Sequence, residues 1–574
     1  MRILLLTHAF NSLTQRLGAE LQRRGHEISI EFDIADSVAE EAVALFKPAL
    51  IVAPYLRRAI PESIWKRHVC LVVHPGIVGD RGPSALDWAI LNGEQEWGVT
   101  VLQAEAEMDA GPVWASAAFP LRAAKKSSIY RHEVTQAATS AVLLAVERFG
   151  AGDFAPTPLA AFGATHGRLR PLMQQADRAI DWQHDDTATV LRKINAADGF
   201  PGVADTLFGT ACHIFDAWPE SLLQFPDVRP GDLVARRETA VLRKTIDGAV
   251  WIGHAKRAGD FKLPTTLAFG AESAALPVAA LDGWWRVDSP TWQDIGYEET
   301  GGVGFLHFEF YNGAMSSTQC ERLRDALAWA RQRPVKVLVL LGGADFWSNG
   351  IHLNVIEAAS LGDGSPADES WNNINAMNDL ALELIVNDGQ ITIAALAGNA
   401  GAGGCFLARA ADLVWVRDGV LQNPHYKNMG NLYGSEYWSY LLPRRVGEEG
   451  ARRIMRNRQP LTAQRAVETG FSDACLAGEQ QAFRIDVARR AAEIAAAPDL
   501  EARLAAKRET RARDEAAKPL AAYRAEELAQ MRRNFYGFDP SYHVARHHFV
   551  RKSLASWTPR HLARHRDLGW TVPQ

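Results

Sequence analysis

A chain of 574 residues is longer than one hydrophobic core ordinarily serves, so about two to four domains are expected. With 47% hydrophobic residues, 22% charged residues and a formal net charge of −5, the composition is that of a folded protein. It argues against a general nucleic-acid or bilayer-surface role. Five scattered cysteines (Cys70, Cys212, Cys320, Cys405, Cys475) lack the spacing of a zinc site and read as reduced thiols. No apolar run is long enough to span a bilayer and no signal-peptide pattern opens the chain. A cytoplasmic protein with no metal site is therefore expected, without membrane or nucleic-acid partners.

In chain order, Ile3–Leu6 reads as a strand and Leu13–Arg24 as an amphipathic helix. Strands follow at Ile28–Phe32, Leu50–Ala53 and Leu71–Val73, then a helix over Ser84–Leu91 and a strand at Val99–Gln103. Short apolar runs alternating with helices predict a doubly wound, mostly parallel sheet, whose ligands bind at the carboxyl ends of strands. His74 stands at such an end. In the first βα loop, His8, Asn11, Gln15 and Arg16 crowd a helix N-terminus, a setting that suits an anion, and Arg131 is a candidate to join them. Between about 165 and 285 the runs shorten and are broken by Gly, Pro and Asp, the pattern of a small β-barrel. From about 290 the α/β rhythm returns, with strands at Val303–Glu309 and Lys336–Leu341 flanking a helix at Thr318–Arg331. Ile391–Ala397 then enters GNAGAGG. From about 448 onward the chain is Ala/Arg/Glu-rich and helical. Its basic tail, HHFVRK and RHLARHR, reads as a solvated helix face or a phosphate-binding rim. The expected architecture is thus an α/β multidomain chain, divided at residues 1–164, 165–288 and 289–574.

The first region resembles the folate-dependent formyltransferases. The residues that carry the likeness are His74, Arg81-Gly82, Gly98-Val99-Thr100 and the Met108-Asp109-Ala110-Gly111 turn, with AIDW and GDLV extending it into the barrel. The resemblance implies formyl transfer from 10-formyltetrahydrofolate, with His74 and Asp109 catalytic. A carboxylate beside an imidazole fixes its tautomer and manages protons. One position departs: the family carries Asn two residues before the His, and here it is Val72. Either another donor replaces that amide or the acceptor and rate differ.

The stretches ADFWSNGIHLNVIEAA and ALAGNAGAGGCFLARAADLVW are similar to the crotonase, or enoyl-CoA hydratase/isomerase, family over about 295–475. The resemblance implies a coenzyme A thioester held by main-chain N–H groups of Ile351 and Gly403. It also implies that both hydratase glutamates are gone, replaced by Phe406 and His425. Tyr426 and Glu436 are the expected proton-handling pair. Gln15, Arg131, Gly404, Arg444 and Arg445 are the candidates for holding coenzyme A or folate.

The fusion resembles the NiFe-hydrogenase maturation proteins. That likeness implies formyl transfer from folate to coenzyme A, then decarbonylation of formyl-CoA to carbon monoxide. It also implies small-molecule substrates and a transient partner in the maturation machinery. Two alternatives stay open. A formyltetrahydrofolate/thioester hydrolase would release formate without needing coenzyme A. An inactive binding scaffold would turn over no folate, and its His74→Ala variant would behave as the parent does.

Overall fold

The computed structural model describes residues 1–163, 165–281, 291–476 and 478–567. The expected boundaries at 164 and at 288–289 fall on or beside residues outside that set. The first module is a six-stranded sheet built from β1 (Arg2–Thr7), β2 (Glu27–Phe32), β3 (Leu50–Tyr55), β4 (Cys70–His74), β5 (Glu96–Gln103) and β6 (Val113–Pro120). Its order is β2-β1-β3-β4-β5-β6. The first four strands are parallel, while β5 and β6 run antiparallel, with His74 opposite Thr100. The helices Ser12–Arg23 and Thr135–Ala151 lay their Leu and Ala faces on one side of the sheet, closing a core around Leu5, Val52 and Leu71.

The second module is an antiparallel sheet ordered Val203–Leu207, Thr210–Glu220, Ala249–Arg257, Ala240–Lys244, Leu233–Arg237, with Leu263–Pro264 paired to Ala249–Arg257. The third has a six-stranded sheet ordered Ile295–Thr300, Val303–Phe308, Val337–Gly342, Ile391–Leu396, Leu413–Arg417, Ala474–Leu476. Helices flank it and extend to Arg551. The helical region starts earlier than its composition suggests, at Trp438, because the helix Trp438–Arg456 tolerates Pro443 and bends at Gly447 (φ 71°). Among the described residues, no helix is long and apolar enough to cross a membrane.

Buried polar contacts tie the modules together. Lys125 Nζ meets Asp216 Oδ1 at 2.6 Å, Tyr311 donates to Asp198 at 3.0 Å, and Arg131 meets Asp345 at 3.0 Å. The tail divides: HHFVRK is mostly exposed, as a solvated face would be, whereas RHLARHR packs against the first module. Arg546 and His547 each lie 2.8 Å from Glu357. Residues 558–566 then return to β2, the edge strand of the first sheet. Ile30 N–H donates to Leu562 O and Phe32 N–H to Thr558 Oγ1, so a bare edge is covered. His565 bridges Ser29 (2.7 Å) and Glu31 (3.0 Å), and His565 and Glu31 are both fully buried. Thr558 and Arg566 also bond Glu31, holding its carboxyl below the usual carboxylate range. Removing one partner of a buried ion pair strands the other, at a cost of about 3 kcal/mol or more. Glu31→Ala should therefore release the tail, read as faster proteolytic cleavage after Arg551 and an earlier thermal transition.

Candidate active sites

The first site forms where β4 ends. His74 is 4% exposed and sits between two carboxylates, Asp80 (Nε2 to Oδ1, 3.3 Å) and Asp109 (Nδ1 to Oδ2, 3.5 Å). Asp109 adopts left-handed backbone (φ 56°), which turns its carboxylate back toward β4, where it also accepts from Gly82 N–H. Asp80 is buried and salt-bridged to Arg170 at 2.6 Å, across from the second module. The expected His–Asp pair is thus brought together, but with a second acid that sequence reading missed. Its only signal was adjacency to Arg81-Gly82. Val72 contributes no polar group: it packs on the apolar layer beneath the sheet.

The second site is assembled by the glycine-rich turn. Gly403 opens the helix Gly403–Arg409, so its N–H has no partner within the helix. The short strand Gly350–Ile351 packs beside it, a Cβ at Gly350 falling 3.4 Å from Gly403 N. A Cβ at Gly403 would lie 2.7 Å from the Glu436 carboxyl carbon, so only glycine lets that carboxyl approach the turn. Gly404 is buried, and its carbonyl accepts from Trp347 Nε1 at 3.0 Å.

Glu436 is 1% exposed. Tyr426 Oη donates to its Oε2 at 2.5 Å, and its own N–H donates to Asn378 Oδ1 at 2.8 Å. Burial pushes the carboxyl pKa up to about 7 and the Tyr426 phenol well above its ordinary value. The rings of Phe406 and Tyr426 stack with centroids 5.8 Å apart and planes 8° apart. Phe406, expected at the position of the first hydratase glutamate, thus packs flat against the phenol ring. At the other position burial holds the His425 imidazole down to about 4, hence neutral.

Glu436 and Tyr437 both hold left-handed backbone (φ 59° and 58°), a strained pair that needs external support. The helix Leu520–Tyr536 supplies it. Glu527, 1% exposed, accepts from Tyr437 N–H (3.0 Å) and from Ser439 N–H (2.8 Å), while Asn534 and Met531 accept from Tyr433 and Gly434 N–H. Burial raises the Glu527 carboxyl to about 8. Residues 433–440 are thus a clamped segment.

The remaining candidates separate. Gln15 contacts Asn423 (3.1 Å), and Arg131 contacts Asp345 and Asn312, so both sit where the modules meet. Arg444 and Arg445 instead pair with Asp514 and Asp473, and neither joins Arg131. A cleft of about 600 Å³, the size of a small-molecule site, lies between the first and third modules. Glu527→Ala should strand two buried N–H groups and cost about 2–3 kcal/mol. Glu527→Gln, which keeps an acceptor, should recover most of the loss in thermal unfolding.

Comparisons with known proteins agree with this division. A formyl transferase family profile matches residues 31–146, its C-terminal domain 172–268, and enoyl-CoA hydratase/isomerase 303–558. The last match extends past 475 through the helical region that clamps Glu436. Methionyl-tRNA formyltransferase of Roseiflexus castenholzii is 31% identical over 193 residues, covering 33% of this chain and 60% of that protein. Hydrogenase maturation factor HoxX of Bradyrhizobium diazoefficiens is 53% identical over 99% of this chain and 97% of its own length. The crystal structure of HypX from Aquifex aeolicus in complex with tetrahydrofolic acid superposes with a TM-score of 0.95 at 46% identity, covering 100% of both chains. With near-complete coverage at such identity, the chain belongs to the HypX/HoxX family of hydrogenase maturation factors.

Proposed function

We propose that this chain makes carbon monoxide for hydrogenase maturation in the cytoplasm, using 10-formyltetrahydrofolate and coenzyme A. The observation that carries the reading is the Glu436–Tyr426 pair beside the Gly403 turn, where both hydratase carboxylate positions are occupied by non-acids. At the first site the thiolate attacks the formyl carbon, the C–N10 bond breaks, and N10 takes a proton. His74, oriented by Asp80 and Asp109, supplies the group beside the formyl oxygen. At the second site the Ile351 and Gly403 N–H groups hold the formyl-CoA oxygen. Glu436 removes the formyl hydrogen as a proton, the C–H pair stays on carbon, and the C–S pair leaves with sulfur, which is then protonated. The products are carbon monoxide and coenzyme A.

A carboxyl with a pKa near neutrality is suited to taking and returning a proton at cellular pH. The absence of water-activating glutamates and the burial of Tyr426 and Glu436 favour loss of CO over hydrolysis to formate. The cleft beside Arg131 has room for a cofactor arm, and Gln15 and Gly404 are proposed to contact it, whereas the paired Arg444 and Arg445 are poor candidates.

Purified protein given 10-formyltetrahydrofolate and coenzyme A should release CO, detected by haemoglobin absorbance. Formate alone, or turnover without coenzyme A, would contradict the proposal and favour a hydrolase. Glu436→Gln should stop CO release while formyl-CoA accumulates, and His74→Ala should abolish both. Because the base must be ionised, CO release should fall about tenfold per pH unit below about 7 and level off above it.

A further inference from the structure

The first βα loop does not act as one unit. His8 is bound to Asp33 at 2.7 Å, and Asn11 caps its own helix by accepting from Thr14 N–H. Gln15 reaches Asn423. Only Arg16 remains uncommitted: among the described residues its guanidinium has no hydrogen bond or ion pair, and its Nε is buried. It projects into the 600 Å³ inter-module cleft against Gly419, where a Cβ would fall 2.5 Å from Nη1. Gly419 (φ 88°) thus leaves room for this cation.

A second arginine, Arg417, lines the same cleft two residues away. Among the described residues it donates only to the carbonyls of Ala397 and Asp418 and to His132 Nδ1. The cleft's acids are engaged elsewhere: Asp345 with Arg131 and His132, Glu133 with Arg122, Asp418 with Gln464, and Glu479 with its own helix N-terminus. Burial lowers the pKa of both arginines, and for Arg417 the charge of Arg16 lowers it further; the nearby Asp418 charge partly offsets this at both without bonding to either guanidinium. Two arginines in one cleft, neither in a salt bridge among the described residues, are only partly offset by Asp418 and leave donors for an added anion. The planar donor fork of arginine matches the oxygens of phosphate and carboxylate.

We infer that Arg16 and Arg417 form an anion-binding site in the inter-module cleft, taking a phosphate or carboxylate group of a bound small molecule. Two substrate parts carry that chemistry, the phosphates of coenzyme A and the glutamate tail of folate. The site requires only charge and volume, so it stands apart from the decarbonylation proposed above.

The test is thermal unfolding and titration of the full chain with inorganic phosphate and with tri-γ-glutamate, at constant ionic strength. At least one probe should raise the melting temperature of the parent. Arg16→Gln should melt at or above the parent without ligand, because it removes a largely buried cation that is in no salt bridge among the described residues. It should also lose the ligand-induced rise and bind about tenfold more weakly or worse. Arg16→Lys, keeping the charge but not the fork, should fall between. Response to phosphate alone assigns the coenzyme's phosphates, and response to triglutamate alone assigns the folate tail. The inference is overturned if neither probe shifts the parent, if Arg16→Gln keeps the full shift, or if Arg16→Gln melts below the parent without ligand.

Discussion

A carboxyl group buried against a glycine turn is the constraint on which the second site depends. Glu436 occupies the space that any side chain at residue 403 would need. Lifting its pKa from 4.5 to about 7 corresponds to roughly 3 kcal/mol of disfavour for the charged form. Such a group persists only where its surroundings over-determine it. Tyr426 donates to the carboxyl, Asn378 accepts from the Glu436 N–H, and the helix Leu520–Tyr536 pins the main chain on either side. The long helical region is therefore part of the site's support and not an appendage.

The same logic explains why the modules are fused through polar contacts. Arg131, His132 and Asp345 join the first module to the loop that precedes Gly350, and Lys262 and Tyr311 tie the second module to the third. The tail then returns through fully buried His565 and Glu31 to the far edge of the first sheet. The proposed transfer of a carbon on a flexible arm would need two sites at fixed separation, and multiply bridged modules hold that separation better than a linker would.

Much of this was legible in the sequence where the signal is local. The apolar runs gave β1 to β5 to within a few residues, and His74 could be placed at a strand end because strand ends in such sheets carry ligands. Asp109 and the Gly403 turn were reached through the family resemblances that their short motifs carry. Contacts between distant segments were not legible. Asp80 meets Arg170, Glu436 is braced from Glu527, and Glu31 meets His565 more than 500 residues on. No periodicity records such pairings. Nor could the sequence show that Arg444 and Arg445 already pair with Asp514 and Asp473.

The central claim is that one tethered carbon visits both sites of a single molecule before it is released. Isotope dilution tests it directly. Turnover of ¹³C-labelled 10-formyltetrahydrofolate with coenzyme A, in a large excess of unlabelled formyl-CoA, should yield carbon monoxide that keeps most of its label. Carbon monoxide diluted to the composition of the bulk formyl-CoA pool would show that the intermediate leaves the protein between steps, and would contradict the account.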